Sequence, residues 1–271
     1  MTIPFIKKAY DRSSKNRIHA MGYAWSDANS CREYFKNRVA SRLKKGDGAE
    51  FLRQYLDRMP DTGFSLTHLR IEASQSKLPR DWEVGEAFVE AVLEDHFECL
   101  FPWPTSRDQR EKEGHPTGPD LPGYHLPAAK PARFAFGEVK SSSQNASPPI
   151  VVSGVDGKAG RETLVGQLKR LLTESSRRQI LIAWLGFREM PVTKSAARFD
   201  SAFKQYGATG NCLIVGCLVS GKRAENAADL ADAFSTLDGS VTKCELWLLA
   251  FYLPFEKTEW PSLVAGKGGQ V

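Results

Sequence analysis

An acid and a base stand two residues apart at the end of an apolar stretch, RFAFGEVK, residues 133–140. Side chains in a β-strand alternate between the two faces, so Glu138 and Lys140 point to one side and Val139 to the other. A further acid, Asp120, follows Pro119 upstream. Two carboxyl groups and a lysine around the end of an apolar strand indicate a site that handles charge.

Hydrolysis of a phosphodiester needs such a set of side chains. A divalent cation held by carboxylates neutralises the anionic phosphate and makes bound water more acidic. Hard carboxylate oxygens suit Mg²⁺ or Mn²⁺. We therefore predict that Asp120 and Glu138 bind the metal from neighbouring strands and that the backbone carbonyl of Val139 adds an oxygen ligand. Lys140 would orient the attacking water or stabilise the developing charge on phosphorus.

A third acid is expected from the helix that the pattern predicts over residues 81–97. Glu83, Glu86 and Glu90 are the candidates. Glu86 is preferred because it follows Gly85 near the start of the helix and shares a helical face with Glu90.

Other interpretations of these residues stay open. The pattern D/E-x-K occurs a second time at residues 156–158, in a glycine-rich stretch without a preceding strand. Glu138 and Lys140 could instead form a surface ion pair, with Asp120 an ordinary turn residue. The polar, proline-rich stretch 106–125 leaves Asp108 as an alternative metal ligand.

Histidine and cysteine offer few further ligands. His115 and His125 flank Asp120, so a site of histidine, aspartate and glutamate is a minor alternative. The five cysteines form no CxxC motif, which argues against a cysteine zinc site and a disulfide framework. We expect reduced thiols and a cytoplasmic protein.

A helix predicted over residues 161–175 follows the strand of Glu138. It carries Gln167 beside an apolar stripe. Basic residues lie on it or just after it and would either contact nucleic-acid phosphates or form a solvated face; they are Lys169, Arg170, Arg177 and Arg178.

Hydrophobic periodicity predicts alternating strands and helices, which is typical of an α/β fold. Further helices are expected at 195–206 and 223–234, and strands at 99–103, 179–187, 211–219 and 245–253. Continuous apolar runs predict a mixed sheet covered by helices on both faces. Residues 1–78, with helices at 27–44 and 49–58 and a strand at 66–73, are predicted to form a mainly helical N-terminal module for partner docking. Residues 79–271 would form the core.

Composition limits the class of protein without selecting one function. The net charge of +5 and a pI of about 8.9 permit a nucleic-acid partner. The first 17 residues carry charge where a secretory leader needs an apolar run, so none is expected. The longest apolar stretches are shorter than the ~20 residues that span a bilayer.

The motifs together resemble the PD-(D/E)XK nuclease superfamily. They are Gly85-Glu86, Gly118-Pro119-Asp120, the FGEVKS segment at 136–141, and Gln167. Within it, the chain is similar over most of residues 81–253 to the HamA family, the nuclease effector subunits of Hachiman anti-phage defence systems.

The resemblance implies a restriction-endonuclease-like core that cuts DNA with Mg²⁺ or Mn²⁺. It implies metal binding by Asp120 and Glu138, a catalytic role for Lys140, and supporting roles for Glu86 and Gln167. It also implies a partner, the helicase subunit HamB, which would restrain the nuclease until infection or DNA damage. The alternatives are a non-catalytic nucleic-acid-binding or scaffolding subunit that keeps the fold, and an RNase.

Overall fold

The computed structural model describes residues 6–43, 78–102, 120–155, 160–189, 193–240 and 243–265. The helix predicted at 49–58 and the strand predicted at 66–73 lie outside these ranges, as does the stretch just before the proposed boundary at residue 78.

A seven-stranded mixed sheet forms the centre of the molecule, in the order β1-β2-β7-β6-β5-β4-β3. The strands are β1 Ile6–Ser13, β2 Ile18–Trp25, β3 Cys99–Leu100, β4 Leu121–His125, β5 Arg133–Ser142, β6 Leu213–Ser220 and β7 Glu245–Tyr252. The four strands β2, β7, β6 and β5 run parallel, and β1, β4 and β3 join antiparallel at the two edges. The predicted α/β fold with a mixed sheet is confirmed.

Helices cover both faces of this sheet. They are α1 Ala28–Tyr34, a π-helical turn Phe35–Val39, α2 Ala40–Leu43, α3 Asp81–His96, α4 Ile150–Ser153, α5 Leu164–Thr173, α6 Ser175–Glu189, α7 Thr193–Thr209, α8 Ala231–Asp238 and α9 Trp260–Val264, with 3₁₀ turns at Ala227–Asp229 and Lys257–Glu259. Among the residues covered by the structure, no helix combines the length and the apolar character needed to cross a membrane.

The two faces of β5 belong to different halves of the core. Phe134 and Phe136 pack with the apolar side chains of α5. Ala135 and Val139 pack in the other cluster, with α3. The alternation expected for a strand is confirmed, and it places Glu138 and Lys140 on the α5 side.

The first strands of the chain correct the expectation of a mainly helical N-terminal module. β1 and β2 form a hairpin, and β2 pairs in parallel with β7 over residues 18–24. β1 lies at the edge and is mostly exposed, so its sequence IKKAYDRS lacks the alternation that signals a strand. The helix predicted at 27–44 is present as α1, the π-helical turn and α2, and Asp27 caps its start.

A second correction concerns residues 179–187, which were predicted to form a strand and belong to α6. Leu181, Ile182 and Leu185 are buried, whereas Ile180 and Phe187 are exposed. This spacing of one and then three residues is helical. Both places beside β5 in the sheet are occupied, by β4 and by β6. The apolar residues 179–187 therefore pack on a face of the sheet as part of a helix.

Two smaller differences affect the segments near the site. The helix predicted at 223–234 begins only at Ala231, because residues 223–226 form a polar loop. The strand β4, which no pattern in the sequence predicted, follows directly after Asp120.

Candidate active site

Asp120 and Glu138 meet across the β4–β5 pair. The antiparallel register sets Leu121 opposite Gly137. One step further along the same register, Asp120 lies opposite Glu138, and directly opposed side chains on one face are close neighbours. The two carboxyl groups therefore converge where β4 begins.

Two hydrogen bonds hold this pair of acids. The backbone N–H of Val139 donates to Asp120 Oδ2 at 2.8 Å. A second hydrogen bond links the carboxyl groups of Asp120 and Glu138 when one of them is protonated. The N–H and C=O of one strand residue point to the same edge, so the Val139 carbonyl also faces the Asp120 side, as its predicted role requires.

Glu86 enters from α3 on the opposite face of the strand end. At Gly85 the helix approaches β5 so closely that a Cβ atom would lie 2.3 Å from Ser141 Oγ. This contact places Glu86 within electrostatic reach of Asp120 and Lys140.

Burial and neighbouring charges raise the pKa values of the three acids. Burial raises the pKa of Glu86, and the charge of Asp120 raises it further. Burial, followed by Asp120, likewise raises the pKa of Glu138, and burial raises that of Asp120. The charge of Lys140 opposes the rise at all three carboxyl groups. One lysine thus lies among three acids.

The carboxyl set offers an oxygen to a cation. Glu138 is 2% exposed, and its Oε2 atom has no hydrogen-bond partner among the residues that the structure describes. A buried carboxylate oxygen without a donor needs a proton or a cation. The donor set is all oxygen, which fits Mg²⁺ or Mn²⁺ better than softer metals.

The acids do not, however, surround a common point. Within the described ranges, no group of three or more His, Cys, Asp or Glu side chains is arranged to hold one metal ion. Asp120 and Glu138 are close enough to hydrogen-bond to each other when one of them is protonated. A cation bound by both would require both carboxyl groups to be ionised.

Helix α5 borders the site from the side of Glu138. Gly216 pairs with Glu138 across β5 and β6, and a Cβ atom at Gly216 would lie 2.4 Å from Leu168 Cδ1. Gln167 precedes Leu168, and its Oε1 atom is buried without a hydrogen-bond partner in the described part of the chain. Such an amide can still accept a hydrogen bond from a ligand or water.

The basic residues of α5 and α6 separate into three kinds. Lys169 is exposed, whereas Arg170 and Arg177 pair with Glu174. Arg178 is buried and donates to the carbonyl oxygens of Leu171 and Leu172. Arg178 therefore belongs to the core. This corrects both interpretations of it, a contact with nucleic-acid phosphate and a place on a solvated helix face.

Of the alternative ligands, the structure describes His125, which is not brought to the site. His125 lies at the far end of β4, where its Nδ1 atom accepts a hydrogen bond from Arg133. Burial, together with the charge of Arg133, lowers the pKa of His125 to about 4. Asp108, His115 and the second D/E-x-K segment at 156–158 lie outside the described residues.

Three contributors to the site were missed in the sequence. Glu162 raises the pKa of Glu138 through its charge, from the turn before α5. Ser141 faces Gly85 of α3, and the missing side chain of Gly216 leaves room for Leu168 of α5. A small residue that faces a candidate acid across two parallel strands would have pointed to Gly216. The register that pairs β5 with β6 cannot be read from the sequence.

Comparison of the chain with protein families finds no family that matches, and comparison with curated proteins finds no match.

Proposed function

We propose that the chain is a metal-dependent nuclease of the PD-(D/E)XK type that hydrolyses DNA phosphodiester bonds. The observation that carries the proposal is that Asp120 and Glu138 converge at one end of the β4–β5 pair, with Lys140 and Glu86 within electrostatic reach. Buried acids with raised pKa values are typical of functional sites.

Asp120, Glu138 and the Val139 carbonyl would hold a Mg²⁺ or Mn²⁺ ion, with Glu86 as a further acid. When bound, the ion neutralises the phosphate charge and increases the acidity of water. Lys140 donates hydrogen bonds to the attacking water or to a phosphate oxygen as its negative charge grows. Glu86 accepts a proton at its carboxylate when ionised. On the α5 side of the site, Gln167 orients a ligand or a water molecule by accepting a hydrogen bond at its Oε1 atom.

The biological setting rests on the resemblance alone. It makes the chain an effector of an anti-phage defence complex, restrained by a helicase partner of the HamB type. The net charge of +5 is compatible with DNA as the substrate.

A plasmid-cleavage assay tests the proposal. The purified chain is incubated with Mg²⁺, with Mn²⁺ and with EDTA, beside the double variant Glu138→Ala/Lys140→Ala. We expect metal-dependent cleavage that the double variant loses by about 10³-fold or more, because it removes a ligand and the charge-stabilising group together. RNA of the same sequence, assayed in parallel, separates DNase from RNase activity.

The matched control is Asp200→Ala/Lys204→Ala. It also removes one acid and one lysine, from an exposed ion pair of 2.6 Å on α7. Full cleavage by this control is expected. Cleavage that survives in Glu138→Ala/Lys140→Ala would overturn the assignment. If the wild-type chain does not cut, the assay is repeated with the helicase and linear DNA.

A non-catalytic subunit is the second candidate, and one observation favours it. The acids of the described residues are not arranged as a ligand group of three. Titration calorimetry with Mn²⁺ separates the candidates: a nuclease site binds the ion and loses binding in Asp120→Asn, whereas a scaffold shows no heat in either protein.

A further inference from the structure

Two thiols lie in contact at the opposite end of the sheet from the acids. Cys212 precedes β6 and Cys244 precedes β7, and their Sγ atoms are 2.9 Å apart. The parallel register of Leu213 with Glu245 makes these two cysteines direct neighbours on adjacent strands. Both side chains belong to the same core cluster, so they point to one face of the sheet.

The backbone spacing suits a covalent link. Adjacent strands lie about 4.8 Å apart, and cysteines joined by a disulfide have Cα atoms about 4.4–6.8 Å apart. The N–H of Glu245 donates to the carbonyl of Cys212 at 3.0 Å, which fixes this spacing. The sulfur atoms need to approach by less than about 1 Å to reach a bond of about 2.05 Å.

The surroundings activate one of the two thiols. The hydrogen bond from Cys212 lowers the pKa of Cys244, and the buried guanidinium of Arg178 lowers it further. The same hydrogen bond raises the pKa of Cys212. A thiolate is the reactive form of cysteine, and it oxidises more readily than a thiol.

The other three cysteines lack these features. All five cysteines are buried, but for Cys31, Cys99 and Cys217 burial is the main cause of a raised pKa and no hydrogen bond to a second thiol offsets it. They pack in the core cluster on the other side of the sheet. At that position they are separated by the sheet from Cys212, from Cys244 and from the guanidinium of Arg178.

We propose that Cys212 and Cys244 form a reversible redox site, which hydrogen peroxide converts to an intramolecular disulfide. This site is independent of the proposed nuclease activity.

The reaction takes place in two steps. The Cys244 thiolate attacks one oxygen of hydrogen peroxide, the O–O bond breaks, and hydroxide leaves, so that Cys244 becomes a sulfenic acid. Cys212 then attacks the Cys244 sulfur, the S–S bond forms, and the oxygen leaves as water with the proton of Cys212. Two thiols and one peroxide thus yield one disulfide and two waters, and an added dithiol reductant reverses the change.

Peptide mapping of the full chain tests the proposal. The folded protein is treated with hydrogen peroxide, alkylated in denaturant, and digested with trypsin without reduction. We expect residues 205–222 and 244–257 to appear as one linked species, which reduction separates. Titratable thiols should fall by two from the five of the untreated chain.

Cys217 shares the peptide 205–222 with Cys212, so the experiment is repeated in Cys217→Ser. That variant should still lose two thiols and form the same link, whereas Cys212→Ser and Cys244→Ser should form none. Mapping of the wild-type chain decides the matter even if a variant fails to fold. Five remaining thiols, a link through another cysteine, or oxidation of Cys244 to a sulfinic acid without a link would each overturn the proposal.

Discussion

At the scale of single residues, Glu138 is a buried acid next to a second acid. Burial, followed by the charge of Asp120, raises the pKa of its carboxyl group. In the unfolded chain a glutamate has a pKa of about 4.3. Between that value and the raised one, the folded chain binds more protons than the unfolded chain. The free energy of unfolding therefore falls as pH rises from about 5 upward.

The change Glu138→Gln should stabilise the metal-free protein at pH 8. The amide has nearly the same shape but carries no charge, so it avoids the cost of ionising a buried group. We expect a gain of at least about 1 kcal/mol, or about 2–4 °C in Tm for a chain of this size. Thermal unfolding in EDTA measures it.

The gain should vanish at about pH 3, where the wild-type carboxyl group is protonated in both the folded and the unfolded chain. Glu174→Gln, on a more exposed residue that pairs with Arg170 and Arg177, is the control and should show no gain at pH 8. A loss of stability in Glu138→Gln at pH 8 would mean that the acid is held by partners that favour its charged form.

At the scale of elements, the distance between α3 and β5 decides where Glu86 lies. The helix comes close to the strand at Gly85, where any Cβ atom would meet Ser141 Oγ. The next nearest atom is the Trp260 ring at 3.5 Å, an ordinary contact distance. Gly85 and Ser141 are therefore a matched pair, and the serine hydroxyl is the limiting atom.

A double-mutant cycle on Gly85 and Ser141 tests this contact. Alanine in place of glycine stabilises a helix interior by up to about 1 kcal/mol. In the Ser141→Ala background we expect that gain in full, because the obstructing oxygen is gone. With Ser141 present, Gly85→Ala should gain nothing or lose stability, which makes the coupling about 1 kcal/mol or more.

Urea unfolding of the four proteins measures the coupling, and cleavage assays follow its effect on the site. Gly85→Ala alone should also reduce cleavage, since it moves Glu86, and Ser141→Ala should restore it. Additive stabilities across the cycle would show that Ser141 rotates away without cost.

At the scale of the whole molecule, one buried carboxylate joins the loops that follow the parallel strands. Asp229 is fully buried and accepts hydrogen bonds from Ser147, Arg223 and Tyr252 at 2.6–2.8 Å. Arg223 also donates to the carbonyl of Gln144 at 2.7 Å. The segments after β5 and β6 and the end of β7 are thereby connected.

Arg223→Ala should destabilise the protein by about 3–5 kcal/mol, because it leaves the carboxylate of Asp229 buried without its cation. Denaturant unfolding measures the change. Lys204→Ala, which breaks the exposed pair with Asp200, is the control and should leave the midpoint unchanged. A midpoint for Arg223→Ala equal to that of the control would show that water replaces the guanidinium.

Patterns of short range determined much of this chain. The two-residue spacing of Glu138 and Lys140 sets them on one face of β5, and the helical periods at 81–97 and 161–175 predict α3 and α5. These features depend on neighbours within a few residues, which the sequence displays directly.

The tertiary structure decided what depends on distant partners. β1 and β2 are strands because β2 pairs with β7, more than 200 residues away. Residues 179–187 are helical because β4 and β6 occupy the places beside β5. Packing between distant segments also buries Arg178 and brings Cys212 into contact with Cys244. Burial and strand pairing bring together residues far apart in the chain, and no local pattern encodes which segment will be the neighbour.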